Sequence, residues 1–196
     1  MGAMSSVARR SATLAEFLSM PADRRFHEFL SGEIVEKAEP SGEHGDAQGG
    51  VVGALRSPFQ RPPGRGGPGG WWILPEVEVL LETGDLVRPD VAGWRRDRHA
   101  TRPSGVPVRA RPDWLCEVLS PSNASDDTVR KLRIYHQASI PHYWLVDPRD
   151  GTFTVMRWTD AGYTAVLAAQ RGETVRPEPF EAVELDVGTL FGDDPR

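Results

Sequence analysis

The stretch Asp113-Trp114-Leu115-Cys116-Glu117-Val118-Leu119 constrains the fold of this chain more than any other. Read as an extended strand, it is apolar on both faces apart from Glu117. A strand of this kind is covered on both sides and lies in the interior of a sheet. Such a sheet needs further layers, and the sequence around it offers them. Leu14, Phe17 and Leu18 share one face of a short helix over residues 11–20, closed by Pro21. A hairpin is expected over 25–37, turning at Ser31-Gly32, and a second helix over 43–59, although its glycines weaken it. Residues 72–81 and 86–94 read as strands joined at Gly84-Asp85, and 61–70 as a mobile Pro/Gly loop. A helix follows the interior strand over 126–139, where Ser125 can cap it and Asp126 and Asp127 suit its positive end. Strands at 143–147 and 152–158 turn at Asp150-Gly151, and the tail from Tyr163 reads as short strands and loops. The fold class is α/β: a mixed central sheet flanked by helices.

At 196 residues the chain suits a single domain over 13–196, with 1–12 expected to be disordered. No apolar run reaches bilayer length. The lone Cys116 excludes an internal disulfide and suits a reducing cytoplasm.

Glu117 is also the first candidate for chemistry. A carboxylate among Leu115, Cys116, Val118 and Leu119 is costly to bury unless it is paired or bound to a cation. Asp90 stands in a similar setting, between Leu86-Val87 and Val91-Ala92. Two strands of one sheet can bring these carboxylates onto one hard cation, Mg²⁺ or Mn²⁺. Alternatively, each can pair with an arginine, since the chain's 23 basic residues are 21 arginines and two lysines. Against that background Lys131 stands out, because lysine is a compact point charge whose pKa moves on burial. It can reach back toward Glu117, or form an ordinary surface pair with Asp127 four residues earlier.

Three residues are weaker candidates for supporting roles. Tyr135 shares the face of Lys131 and can shape the site, although core packing is its commoner role. Glu28 can supply a third acid, although a Glu in a hairpin usually faces solvent. His44 can line the site, although a His near a helix start is more often a cap or a surface group. The net charge of −5 argues against a general nucleic-acid coat. Yet residues 88–111 hold seven arginines against two aspartates, a local +5, so the remainder carries −10. Arg88, Arg95, Arg96 and Arg98 in this segment are candidates for contacts to a polyanion, or for an ordinary solvated loop.

Taken as a set, several motifs resemble one family. They are Phe26-His27-Glu28-Phe29-Leu30-Ser31-Gly32-Glu33, Arg88-Pro89-Asp90-Val91, Glu117-Val118-Leu119-Ser120-Pro121-Ser122, Lys131-Leu132-Arg133-Ile134-Tyr135 and Tyr143-Trp144-Leu145-Val146-Asp147. From about residue 14 to 160 the chain resembles the Uma-two family of putative restriction endonucleases, assigned to the PD-(D/E)xK nuclease-like superfamily. The resemblance implies a restriction-endonuclease-like core, a divalent metal held by Asp90 and Glu117, and Lys131 as the catalytic lysine. It also implies Mg²⁺-dependent (or Mn²⁺-dependent) endonucleolytic hydrolysis of phosphodiester bonds in DNA. One departure is that Leu119, not a lysine, stands two residues after Glu117, so the lysine has moved to the helix. The rival expectation is a catalytically silent nuclease-like module that binds nucleic acid or a protein partner. Cutting two strands would suit a homodimer, for which Trp71-Trp72 can supply an interface or can instead be core.

Overall fold

The computed structural model describes residues 9–21, 26–37, 39–64, 66–120 and 124–194. The chain begins with β1 (Arg9–Ser11), α1 (Leu14–Ser19), β2 (His27–Leu30), β3 (Glu33–Glu36) and α2 (Gly42–Phe59). Next come β4 (Trp71–Pro75), β5 (Val79–Leu80), β6 (Leu86–Val87), β7 (Val91–Arg95) and β8 (Trp114–Val118). A π-helical segment, Asp126–Lys131, runs directly into α3 (Leu132–Gln137). The chain closes with β9 (His142–Asp147), β10 (Thr152–Thr159), β11 (Gly162–Gln170), β12 (Thr174–Val175), β13 (Leu185–Asp186) and a 3₁₀ helix at Val187–Phe191.

Six strands form the large sheet in the order β11-β10-β9-β8-β7-β4. β8 is interior, antiparallel to β7 and parallel to β9, as its two-sided apolar pattern requires. Trp114, Cys116 and Val118 face α2 and the 3₁₀ helix, together with Val51, Leu55, Phe59, Trp144, Phe153 and Phe180. Leu115 faces the other way, with Trp94, Ile134, Tyr135 and Tyr143. That second face is covered by α3 and by a small sheet, ordered β1-β3-β2-β6-β5, whose Leu30, Val35, Val79 and Val87 point inward. The outer face of the small sheet packs Phe29, Ile34 and Leu86 against Phe17 of α1. Among the described residues no helix is long and apolar enough to cross a membrane.

The expected hairpin of residues 72–94 keeps a single register throughout, with Trp71 opposite Arg95, Pro75 opposite Val91 and Leu80 opposite Leu86. It is nevertheless shared between the sheets: β4 and β7 belong to the large one, β5 and β6 to the small one. The ribbon bends at Glu76, whose φ of 53° lies in the left-handed region uncommon for a residue other than glycine. Across the bend, the Glu76 N–H donates to the Asp90 carbonyl at 3.2 Å.

Other expectations need correction. The tail does not begin with short strands: β11 runs nine residues beside β10, with a bulge at Val155/Met156. It is a half-exposed edge strand containing Ala165, Ala168 and Ala169, and alanine is depleted in strands, which hid the pattern. Ser125 does not cap the helix; it is itself helical and makes no side-chain cap bond. α1 is instead capped by a Thr13–Glu16 box that begins later than expected. Residues 1–8 of the segment expected to be disordered lie outside the described residues, but Arg9–Ser11 pair with β3. In α2, Gly50 has a packing reason: a Cβ there would lie 2.6 Å from the Thr189 carbonyl oxygen.

Candidate active site and metal centre

Asp90 is positioned by the ribbon bend. The register of β7 on β8 sets Val91 opposite Cys116; continued by one residue, it sets Asp90 opposite Glu117. Such neighbours have Cβ atoms about 4.5–5.5 Å apart. Asp90 is fully buried and Oδ2 accepts the Val118 N–H at 2.6 Å. Its other oxygen, Oδ1, meets the Lys37 Nζ at 2.9 Å and lies 3.3 Å from His44 Nε2. Burial would push this carboxyl up. The Lys37 ammonium and the bond to His44 outweigh it and hold Asp90 well below the usual carboxylate range.

His44 reaches this place because it sits in the first turn of α2, where the Ser41 hydroxyl accepts its backbone N–H. One turn later, Gln48 donates to the Asp90 carbonyl at 2.9 Å and to Glu76 Oε1 at 3.0 Å. Lys37, just after β3, completes the cluster by donating to Glu76 at 3.0 Å and to the Arg88 carbonyl at 2.9 Å. His44, Glu76 and Asp90 each offer a ligand atom within 4.8 Å of the others.

Glu117 anchors a second cluster. Its Oε1 accepts from Lys131 at 3.1 Å and from the Tyr135 hydroxyl at 2.6 Å, while its buried Oε2 has no hydrogen-bond partner. Lys131 also lies 2.9 Å from Glu28 and 3.2 Å from Asp127. Both carboxylates are buried, Glu28 because, two residues before Leu30 on β2, it shares that residue's inward face. Burial, reinforced by the neighbouring acids, pushes Glu117 well up, although Lys131 pulls the other way. The same causes push Asp127 up to about 6. Burial would lower Lys131, but Glu117, Glu28 and Asp127 keep it firmly protonated.

The two clusters therefore bring together five carboxylates (Glu28, Glu76, Asp90, Glu117 and Asp127) and two lysines. Buried negative charge in such excess draws either protons or a cation. A hard cation suits this donor set, which is rich in carboxylate oxygen. A cleft of about 390 Å³ opens onto His44 and is lined by Ser41, Glu43, Leu119, Ser120, Pro148 and Arg149. It lies past the carboxyl ends of the parallel pair β8 and β9, where open α/β sheets commonly place their ligands.

The Uma2 family model, described as putative restriction endonuclease, matches residues 14–188. This chain belongs to the Uma2 family. A crystal structure titled a putative nuclease belonging to DUF820, from Anabaena variabilis ATCC 29413, shares the fold of this Uma2 chain with a TM-score of 0.74. The two are 22% identical, over 91% of this chain and 97% of that one. No curated protein matches the chain.

Within this Uma2 fold, Asp90, Glu117, Lys131, Glu28, His44 and Tyr135 fall in the two linked clusters. Asp90 groups with His44 and Glu76 as candidate ligands, and Glu117 does not join that group. The Lys131–Asp127 pair exists but is buried rather than on the surface, because the π-helical segment turns both side chains inward. Of the four arginines, Arg95, Arg96 and Arg98 stand apart, whereas Arg88 borders the site: its backbone N–H donates to Glu28 at 2.7 Å and its guanidinium to the Glu76 carbonyl at 3.2 Å. Arg88 is tied to Glu78 at 2.7 Å, and Arg95 to Asp97 at 3.1 Å. Arg96 stacks on Trp72, and Arg98 pairs with Asp113. Arg95 ends β7, about 17 Å along the strand from Asp90, and Arg96 and Arg98 follow it.

Lys37, Glu76 and Gln48 were not singled out from sequence. A signal for Lys37 existed: it is the other of only two lysines, so the reasoning that marks Lys131 marks it equally. Glu76 gave no such signal, because its place depends on a bend that periodicity does not show.

Proposed function

We propose that this Uma2 chain is a divalent-metal-dependent endonuclease that hydrolyses phosphodiester bonds in DNA. The observation that carries the reading is the buried excess of carboxylate over lysine around Asp90 and Glu117, beside a cleft open to solvent. Family membership and the nuclease-like fold support it. Asp90, Glu76 and His44 would hold Mg²⁺ or Mn²⁺. Once bound, the ion would polarise the scissile phosphate and ease deprotonation of the attacking water.

The other residues act on that centre. Val118 N–H fixes one Asp90 oxygen, and Gln48 fixes Glu76. Glu117 faces Asp90 across the strands and adds negative charge, with its Oε2 available to accept a proton from the water. Lys131 and Tyr135 hold Glu117 in place by its other oxygen, so Lys131 acts as a positioning residue. The phosphate backbone would enter along the cleft by Ser41, Ser120 and Arg149, with Arg95, Arg96 and Arg98 touching more distant phosphates. Cutting both strands would take two copies. Trp71 is core, so an interface there would rest on Trp72.

The test is nicking of supercoiled plasmid with Mg²⁺ or Mn²⁺ by the wild type, Asp90→Asn and Glu117→Gln, each checked for folding by circular dichroism. Nicking by the wild type, reduced by orders of magnitude in both variants, is expected. Equal nicking by Asp90→Asn would remove the assignment, and a folded wild type that never nicks would favour the silent binding module.

A further inference from the structure

Lys37 occupies an unusual position. Its ammonium touches both Glu76 oxygens, at 3.0 and 3.1 Å, and Asp90 Oδ1 at 2.9 Å. The Arg88 carbonyl adds a fourth oxygen at 2.9 Å. These include the carboxylates that, with His44, form the candidate ligand group. A cation surrounded by oxygens in this way satisfies the need a divalent ion would meet. The two cannot share the seat, because Mg²⁺ requires its oxygens at about 2.1 Å and would stand beside a full positive charge.

We infer that Lys37 is a built-in occupant of the cation seat formed by Glu76, Asp90 and His44, so that a divalent ion loads only by displacing its ammonium. This rests on the metal-dependent reading above. The two lysines are not equivalent in this respect. Lys131 is enclosed by three buried carboxylates, whereas one wall of the Lys37 seat is Glu76, whose side chain is 35% exposed. The flexible four-carbon stem of lysine gives the ammonium an exit past Glu76, which the rigid fork of an arginine would not share. With Lys37 seated, its single positive charge offsets part of the charge on Asp90 and Glu76 in the metal-free protein; with it displaced, both become ligands.

The first measurement uses the intact wild type labelled with ¹⁵N-lysine. Two lysines give two ammonium signals, assigned by losing one in Lys37→Met. Titration with Mg²⁺ should move or broaden the Lys37 signal and leave that of Lys131 in place. A Lys37 signal unmoved at saturating Mg²⁺ overturns the inference. The second measurement is Mn²⁺ affinity by calorimetry. Lys37→Met should bind about tenfold more tightly or better, a difference of about 1.4 kcal/mol. Equal or weaker binding by a folded Lys37→Met also overturns it. Asp90→Asn separates the two levels: if it binds Mn²⁺ like the wild type, the metal reading at this seat fails. If Asp90→Asn loses binding while Lys37→Met is unchanged, only the displacement fails. Binding by Lys37→Met alone would be its strongest support, and binding by neither protein would end both.

Discussion

The Tyr135 hydroxyl donates to Glu117 Oε1 at 2.6 Å across the boundary between α3 and the interior strand. Eighteen positions apart in sequence, the two are packed as core and bonded as a polar pair, so the core role and the site role of Tyr135 are one. Burial and the Glu117 charge both push the phenol well up, keeping it a donor at any working pH.

Tyr135→Phe should therefore lower stability by about 1.5–3 kcal/mol, the scale of a lost hydrogen bond to a charged group. Glu117 also loses a bond that favours its ionised form, so the acid limb of any pH–activity profile should shift to higher pH. Urea denaturation and a pH profile of plasmid nicking check the two effects separately. An unchanged denaturation midpoint would remove the bond from any account of stability.

Asp127 gives a pH dependence of definite sign. Its carboxyl is raised from 3.8 to about 6 in the folded chain, so the native state binds this proton more tightly than the unfolded state. Its contribution is fully present below about pH 4 and is lost as pH rises toward 6. Asp127→Asn should abolish that loss, so its stability relative to the wild type should increase by about 2 kcal/mol between pH 4 and 6. Paired urea titrations across that window measure the difference. Asp90, held low, works in the opposite direction and is common to both proteins.

Divalent metal should raise the melting temperature near neutral pH. An ion that binds only the folded chain adds about 2.7 kcal/mol at a hundredfold excess over its dissociation constant. Thermal melts with and without Mn²⁺ should show the rise in the wild type and little of it in Asp90→Asn.

Gly93 tests the scaffold apart from the chemistry. A Cβ there would lie 2.8 Å from Trp114 Cε3 and 3.3 Å from Trp71 Cε3, both in buried rings. Gly93→Ala should cost about 1–3 kcal/mol in denaturation while leaving the Mn²⁺ affinity of the folded protein near that of the wild type.

Much of this arrangement was legible in the sequence because it rests on strand periodicity. The run around Glu117 announced an interior strand, and Asp90 in its apolar neighbourhood announced a buried acid. What stayed hidden depends on how distant elements meet. The bend at Glu76 leaves the hairpin register intact, so residues 71–95 read as one ribbon when they serve two sheets. His44 looked like a surface or cap residue because nothing local shows that the start of α2 abuts Asp90. Asp127 looked solvated because the π-helical segment changes which residues of 126–131 turn inward.

That shared ribbon bears on when the protein can act at all. Glu76 and Asp90 exist as a pair only while β4 and β7 are in one sheet, β5 and β6 are in the other, and the bend between them is held. A partly folded or nascent chain with only one layer assembled would lack the pair altogether. Under the proposed function, catalytic competence would then appear in a single step, with the docking of the final layer.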